Sequence, residues 1–200
     1  LASLGMVEGV GGGKFAPERT ITRAEFTVMA MRFARLPEGG ENPFSDVTSS
    51  DWFYDQVVGA VQYGWITGYT DGTFRPEQPV SRAELVKLIA SYFTVEGGTS
   101  PFPDVPAGHW AAEVVSFAAE EGWVSGYPDG TFRPDAPVSR AEAVKILNHA
   151  LDRRAGERAA ALPFTDVEKG HWACDEIREA AVSHTYRKSG EGETWLTYER

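Results

Sequence analysis

The sequence predicts a mainly α-helical protein built from repeated helix–loop–helix units. Residues 64–84 read GWITGYTDGTFRPEQPVSRAE, and residues 122–142, 58 positions later, read GWVSGYPDGTFRPDAPVSRAE. A looser copy, GMVEGVGGGKFAPERTITRAE, occupies residues 5–25. A unit of this size cannot bury its apolar face alone, so the units should stack against one another.

A second shared element precedes each full copy of this motif. It reads FSDV…DWFYDQVVGAVQY at 44–63, FPDV…HWAAEVVSFAAEE at 102–121 and FTDV…HWACDEIREAAVS at 164–183. The chain therefore contains a half repeat, two whole repeats and a closing half repeat. We interpret it as one domain with repeat boundaries at 1–43, 44–101, 102–163 and 164–200.

The TRAE and SRAE segments predict three helix starts. In such a capping box the hydroxyl accepts from the amide three residues on, and the glutamate side chain reaches back to the cap amide. Helices should follow at roughly 23–35, 82–94 and 140–152. The capping residues are Thr22 with Glu25, Ser81 with Glu84, and Ser139 with Glu142. The apolar face comprises Phe26, Ala30, Phe33, Leu85, Ile89, Tyr92, Ala143, Leu147 and Ala150.

A second kind of helix should start near Trp52, Trp110 and Trp172. The GYxDGTFRP segment then connects the two kinds of helix. Asp-Gly is a strong turn signal because glycine accepts a positive φ. We expect the loop aromatics to pin the turn to the core: Tyr69, Phe74, Tyr127 and Phe132.

Composition excludes several classes of protein. A net charge of −10 disfavours general binding to nucleic acid phosphates. The single cysteine, Cys174, excludes a disulfide scaffold and a thiolate metal cluster within one chain. No apolar run is long enough to span a bilayer, and Leu1–Val10 does not have the pattern of a signal peptide. We expect the chain to be a piece of a longer protein.

These motifs resemble the S-layer homology (SLH) family in order and spacing: the FxDV…HWA opening, GYxDGTFRP and [ST]RAE. The resemblance covers nearly the whole chain. It implies a three-lobed, mainly helical domain with pseudo-threefold symmetry, a central helical bundle and long ordered loops. It also implies a secreted, non-catalytic module, located at the bacterial cell wall or S-layer, that binds a secondary cell wall polymer. That polymer often carries pyruvylated N-acetylmannosamine.

The incomplete first copy leaves two interpretations open. In one, residues 164–183 stand near the first copy and supply its missing opening helix. In the other, the chain is truncated and continues upstream of Leu1. A structure in which the Trp172 helix never touches residues 1–36 would eliminate the first interpretation.

Arg23, Arg82 and Arg140 each directly follow a helix N-cap. Helix N-termini attract anions through free amides, and an arginine fork there suits a carboxylate such as that of a pyruvate ketal. Arg82 and Arg140 are the stronger candidates, because the first-copy loop lacks the tyrosine and aspartate of the other two. The alternative is that each arginine pairs with an acidic residue of a neighbouring repeat.

Aromatic residues and glycines are candidates for contact with the sugar ring. We expect Trp52 and Trp110 to be the more exposed tryptophans, with Tyr69 and Tyr127 in the loops. The amides of Gly72 and Gly130 can approach a sugar closely. The alternatives are burial in the core for the aromatics and an ordinary tight turn for the glycines.

No enzyme or cofactor motif is complete. GVGGGKF fails as a phosphate loop because Glu8 stands in place of glycine and Phe15 in place of serine or threonine. The histidines have no metal-ligand spacing, and His171 with Cys174 is at most a two-ligand fragment. We therefore predict no catalytic residue, metal or cofactor. Alternatives to the glycan module are an S-layer lattice or protein–protein module, and the anchor of a larger exported polysaccharide-active enzyme.

Overall fold

The computed structural model describes residues 2–3, 7–34, 39–153, 160–189 and 192–198. Over these ranges the chain is mainly helical, with a small antiparallel sheet. It divides into two compact units, one formed by residues 1–19 with 139–200 and the other by residues 20–138. Residues 35–38 and 154–159 lie outside the described residues.

Two kinds of helix alternate along the chain, as predicted. Helices of the first kind are α1 (Arg23–Ala34), α3 (Arg82–Ala90) and α5 (Arg140–Ala150). Helices of the second kind are α2 (Tyr54–Gln62), α4 (Ala112–Glu120) and α6 (Cys174–Ala181). The predicted starts of the first kind are confirmed, but α3 ends earlier than expected. Its last turn is closed by Ser91, whose hydroxyl donates to the Leu88 carbonyl at 2.6 Å.

All three capping boxes are present. The amides of Glu84 and Glu142 donate to the hydroxyls of Ser81 and Ser139, and the two glutamates accept from the cap amides in return. Thr22 and Glu25 make the same reciprocal pair at 3.2 and 3.1 Å. The local sequence therefore sets where each helix of the first kind begins.

Most of the predicted apolar face is buried in the core. Its members with the lowest exposure are Phe26, Ala30, Leu85, Ile89, Ala143, Leu147 and Ala150. Tyr92 is half-buried, and its hydroxyl donates to the Ala30 carbonyl at 2.8 Å. The side chain of Phe33 lies outside the described residues. Each phenylalanine, leucine or isoleucine among them contributes about 1.5–3 kcal/mol when fully buried.

The aspartate of the FxDV segment accepts hydrogen bonds from the backbone of the GYxDGTFRP loop that follows it in the sequence. Asp46 accepts from the amides of Phe74 and Arg75 at 2.7 and 2.8 Å. Asp104 accepts from those of Phe132 and Arg133 at 2.9 and 2.7 Å. These paired bonds fix the loops at the point where the backbone of Arg75 and Arg133 adopts a positive φ of 58°.

We expect Asp104→Asn to lower stability at neutral pH and to flatten its pH dependence. Burial alone would raise the pKa of Asp104, but the two donated amides outweigh burial and hold the pKa below its ordinary value of 3.8. A lowered folded-state pKa gives stabilisation that is complete above the unfolded-state pKa, about 3.9, and is lost as the pH falls through the folded-state value. Urea denaturation across acidic and neutral pH would measure this change.

The exposed aspartate Asp135 provides the control for this experiment. Asp135→Asn should leave the pH dependence of the wild type in place. An Asp104→Asn variant with the same stability and the same acid slope as the wild type would contradict the role assigned to the carboxylate.

An equivalent pair of hydrogen bonds to an aspartate connects the closing half repeat with the first copy. Asp166 accepts from the amides of Phe15 and Ala16, both at 2.8 Å, and the ring of Phe164 packs 5.2 Å from that of Phe15. His171, beside Trp172, lies 3.0 Å from Glu18. The contact required by the interpretation of a shared third repeat is therefore present, and the assignment of all 200 residues to one domain remains a prediction.

Three short segments, one from each copy, bond in a closed ring within residues 20–138. The Val80 amide donates to the Ile21 carbonyl, the Ile21 amide to the Val138 carbonyl, and the Val138 amide to the Val80 carbonyl, at 2.9–3.1 Å. All three side chains are buried. The three segments that contain Ile21, Val80 and Val138 therefore meet at one buried point.

The end of the chain forms a sheet instead of a further repeat. Strands β1 (Ala2–Ser3), β2 (His184–Ser189) and β3 (Gly192–Tyr198) pair antiparallel in the order β1-β2-β3. The segment TWLTY, residues 194–198, has a composition typical of a strand, and it lies in β3 at one edge of the sheet.

Candidate functional site

The side chain of Arg23 is bound by residues of the second copy and is largely shielded from solvent. Its Nε donates to the Phe74 carbonyl at 2.9 Å, and its Nη1 contacts the Glu84 carboxylate at 2.8 Å. The guanidinium also lies 5.0 Å from the centroid of the Tyr69 ring. Its side chain is 11% exposed. The alternative interpretation, pairing with a glutamate of a neighbouring repeat, is thus observed for Arg23.

Arg82 and Arg140 occupy equivalent positions and are more deeply buried. They are 6% and 5% exposed, and their Nε atoms donate to the carbonyls of Phe132 and Phe15, each at 2.9 Å. Arg82 also lies 5.0 Å from the Tyr127 ring centroid. Direct contact of these two arginines with a glycan carboxylate stays a prediction.

The expectation of free amides at these helix starts is wrong. The Arg82 and Ala83 amides donate to the carbonyls of Ala136 and Pro134, both at 3.0 Å. The first two amides of α1 and α5 donate in the same way to Gln78, Pro76, Arg19 and Pro17. A loop from another copy has therefore taken the place that an anion would need.

Within residues 20–138 these elements surround a surface cavity of about 180 Å³. Arg23 from the start of α1 and Tyr69 from the second-copy loop lie on its wall, together with Glu84 and Lys87 from α3. The third copy contributes Trp110. Three copies of the repeat thus meet in one cavity that carries cations and aromatic rings, a combination suited to a polar ring with a negative group.

The tryptophans that precede the second helices are exposed, as predicted for two of them. Trp52 is 63% exposed and Trp110 is 55% exposed. Trp172, which the sequence did not single out, is 54% exposed. The Lys87 ammonium lies over the Trp110 ring, 5.4 Å from its centroid, so one face of the exposed indole carries a positive charge.

A second arginine stacks on each of the loop tyrosines. Arg75 stacks over Tyr69 at 3.8 Å and pairs with Asp71 at 2.9 Å; Arg133 does the same with Tyr127 and Asp129. Hydrogen bonds from Thr73 and Arg75 lower the pKa of Asp71 to about 2. The charges of arginine and aspartate in each loop are therefore already paired with each other.

Gly72 and Gly130 form the tight turn. Both have a φ of +78°, and their amides donate to the carbonyls of Tyr69 and Tyr127 at 3.0 and 2.8 Å. The alternative of an ordinary turn is therefore observed. Contact of these glycines with a sugar stays a prediction and would have to use atoms other than the occupied amides.

Sequence reasoning missed the lysines. Lys87 and Lys145 each follow the capping serine by six positions, in SRAELVK and SRAEAVK, and this recurrence could have identified them. Lys145 lies 5.9 Å from the centroid of the Trp172 ring, as Lys87 does from that of Trp110. The motif Arg75 and Arg133 were likewise overlooked, because only the glycine and aspartate of the turn were considered.

His109 and His171 act as local caps. The Nδ1 atoms of His109 and His171 accept from the amides two residues on, both at 3.1 Å. Cys174 is buried beside Arg178. In the part of the chain that the structure describes, no group of histidine, cysteine and acidic side chains could hold a metal ion, and no helix is long and apolar enough to cross a membrane.

A cavity lined by residues of three helical repeats, with an exposed indole beside an ammonium group, is typical of a site for a polar ring that carries a negative group. The chain belongs to the S-layer homology domain family, whose model matches residues 1–27, 43–86 and 101–144. The resemblance recognised in the sequence, the mainly helical fold class and the three repeats are thereby confirmed. Members of this family are cell-surface and S-layer proteins.

Relatives extend the match over most of the chain. The chain is 34% identical to cell surface glycoprotein 1 of Acetivibrio thermocellus over 95% of its length, and 35% identical to the cellulosome-anchoring protein of that organism over 94%. It is 34% identical to exoglucanase XynX, also from A. thermocellus, over 76% of its length. These alignments cover 9%, 44% and 15% of the respective relatives, so the chain spans less than half the length of each.

Proposed function

We propose that the chain is a non-catalytic module that anchors an exported protein to the cell wall by binding an anionic secondary polysaccharide. The ligand class is a polymer carrying pyruvylated N-acetylmannosamine. The observation that carries the proposal is the pairing of Lys87 with the exposed Trp110 ring in the lining of the cavity.

The cavity supplies both interactions that such a sugar needs. The Trp110 ring offers an apolar face to the C–H side of a sugar, and the Lys87 ammonium is close enough for the ketal carboxylate to contact it at the same time. The guanidinium of Arg23 is already engaged by Glu84 and carbonyl groups. We therefore assign the carboxylate to Lys87 and give Arg23 the role of positioning the Tyr69 loop.

Binding should depend on both members of the pair. We expect Lys87→Met and Trp110→Ala each to weaken binding of a pyruvylated saccharide by about tenfold or more, since charge-assisted contacts are worth about 1.5–3 kcal/mol and tenfold corresponds to about 1.4 kcal/mol. Titration calorimetry with the methyl glycoside of pyruvate-ketal N-acetylmannosamine measures this effect. Thermal melts establish that the variants are folded.

Sedimentation with cell-wall sacculi tests the biological ligand. The wild type should pellet with intact Gram-positive walls and remain in solution with walls stripped of secondary polymer. Lys169→Met is the matched control. Lys169 is exposed and does not line the cavity, and its substitution removes the same charge. Equal sedimentation with stripped walls, or unchanged binding by the folded Lys87→Met variant, would contradict the proposal.

The relatives favour a second possibility for the whole protein. One relative is named an exoglucanase and another an amylopullulanase, so SLH repeats also occur in enzymes. We propose anchoring for this chain and an enzyme or S-layer subunit as the cargo. A lattice role would differ in outcome: the Lys87→Met variant would lose assembly with other surface subunits while binding to walls stayed unchanged.

A further inference from the structure

Two exposed Asp-Gly bonds lie in the GYxDGTFRP loops, Asp71-Gly72 in the second copy and Asp129-Gly130 in the third. Among aspartyl bonds, Asp-Gly rearranges most readily, because glycine has no side chain to shield its amide nitrogen from the aspartate carboxyl group. The side chains of both aspartates are about half exposed, so water reaches them. Each loop is therefore a place where the chain can modify itself without an enzyme.

The rearrangement passes through a cyclic imide. The Gly72 amide nitrogen attacks Cγ of the protonated Asp71 carboxyl group. A C–N bond forms, a C–O bond breaks, and the amide proton leaves with the carboxyl hydroxyl group as water. Water then reopens the ring at either carbonyl carbon, and no oxidant or reductant takes part. One product is the original aspartate, and the other is isoaspartate, which adds a methylene group to the main chain of the turn.

The contacts of Asp71 oppose each requirement of this reaction. Its Oδ1 accepts from the amide and the hydroxyl of Thr73 at 3.0 and 2.6 Å, and its Oδ2 accepts from Arg75 Nη2 at 2.9 Å. The Gly72 amide, which would be the attacking group, donates to the Tyr69 carbonyl at 3.0 Å. The bonds from Thr73 and Arg75 also lower the pKa of the carboxyl group to about 2, and a carboxylate has no hydroxyl group to lose as water.

The third copy repeats this arrangement atom for atom. Asp129 Oδ1 accepts from the amide and the hydroxyl of Thr131 at 3.0 and 2.6 Å, and Oδ2 accepts from Arg133 Nη2 at 2.8 Å. The Gly130 amide donates to the Tyr127 carbonyl at 2.8 Å. Both carboxyl oxygens and the attacking nitrogen are thus occupied at each of the two Asp-Gly bonds.

The first copy shows that the turn does not need these side chains. Gly12, Lys14 and Ala16 stand there in place of the aspartate, threonine and arginine. Ala16 nevertheless has a φ of 56°, against 58° for Arg75. The Val10 amide donates to the Lys14 carbonyl at 2.8 Å, which is the bond that closes the other two loops. Threonine and arginine therefore occur in the two copies that contain Asp-Gly and are replaced in the copy that lacks it.

We propose that the Thr–Arg pair of each loop protects an Asp-Gly bond from conversion to isoaspartate, and that Asp71 and Asp129 are the sites of this modification when the protection is lost. The consequence extends beyond the turn, because the nearby backbone of Phe74 binds Asp46 through its amide and Arg23 through its carbonyl. A methylene group inserted at Asp71 would displace this backbone. The inference goes beyond the proposed function and does not depend on which ligand is bound.

Peptide mapping of the full chain tests the proposal after storage in warm neutral buffer, with mass spectrometric fragmentation that distinguishes isoaspartate from aspartate. Thr73→Val/Arg75→Met removes the hydroxyl and the charge, and the unchanged Asp129 loop is the control within the same molecule. Each unit by which the carboxyl pKa returns toward 3.8 raises the protonated fraction at neutral pH about tenfold. We therefore expect isoaspartate to form about tenfold faster at Asp71 than at Asp129.

The reciprocal variant, Thr131→Val/Arg133→Met, should move the faster conversion to Asp129. In urea both bonds of the wild type should convert equally fast, and about tenfold faster than in the folded wild type. Thermal melts establish that the variants stay folded during storage. Equal conversion of the two loops in a folded variant would overturn the proposal. A folded wild type that forms isoaspartate as fast as the chain in urea would also overturn it, whether or not a variant folds.

Discussion

Glu179→Gln should lower the free energy of unfolding by about 3–5 kcal/mol, which is the usual cost of removing one member of a buried ion pair. Glu179 is 1% exposed and lies at the end of α6. Its Oε1 is 3.1 Å from Arg153 Nη2 and 3.1 Å from His184 Nε2. Both partners are buried, so the variant leaves the Arg153 charge without its counter-charge in the core.

The charged state of Glu179 follows from this setting. Burial alone would raise its pKa, but the hydrogen bond with His184 and the charge of Arg153 outweigh burial and hold the pKa below the ordinary 4.5. The stabilisation is therefore present at neutral pH and is lost as the pH falls through the folded-state pKa.

Urea denaturation followed by circular dichroism measures the loss. The matched control is Glu113→Gln on the exposed side of α4, which should change stability by less than about 0.5 kcal/mol. A Glu179→Gln variant that loses less than about 1 kcal/mol would show that the cluster does not hold the end of the chain to α6.

Gly68→Ala should destabilise the second-copy loop by about 2–3 kcal/mol through overpacking. A Cβ at this position would lie 2.7 Å from the Thr73 carbonyl oxygen and closer still to the Phe44 ring. Neither neighbour is the far end of a flexible side chain, so the backbone must shift. Because Gly68 and Tyr69 both line the cavity, binding of the pyruvylated glycoside should weaken together with stability.

Gly108→Ala is the control for this prediction, since no atom lies within 4 Å of a Cβ built there. It should melt at the temperature of the wild type within about 2 °C, because surface changes of this kind stay within about 0.5 kcal/mol. Gly126→Ala repeats the test in the third copy, where a Cβ would meet the Phe102 ring at 2.6 Å. Unchanged melting of both Gly68→Ala and Gly126→Ala would contradict the overpacking argument.

Sequence reasoning succeeded where the cause is local. The capping boxes at Ser81 and Ser139 specify helix starts through atoms three residues apart. The exposure of Trp52 and Trp110 was also expected, because each follows a loop and precedes a helix.

It failed where the cause is a partner distant in sequence. Nothing near Arg82 indicates that the Ala136 carbonyl would take its amide, so free amides were predicted where none remain. No local pattern indicates the burial of His184 against Glu179, because that contact depends on α6 packing against the start of β2. Lys87 was recoverable from its recurrence, but only the arginines were considered as cations.

The bonds between helix starts and loops imply that one repeat cannot be excised cleanly. Arg23 of the first copy holds the loop of the second at Phe74, and Arg82 of the second holds the loop of the third at Phe132. Deleting the second copy would remove the loop that Arg23 binds. It would also leave the loop of the third copy without its bond from Arg82. A shortened chain should therefore fail to fold as a smaller version of itself, and grafting this anchor onto another protein requires moving the copies together.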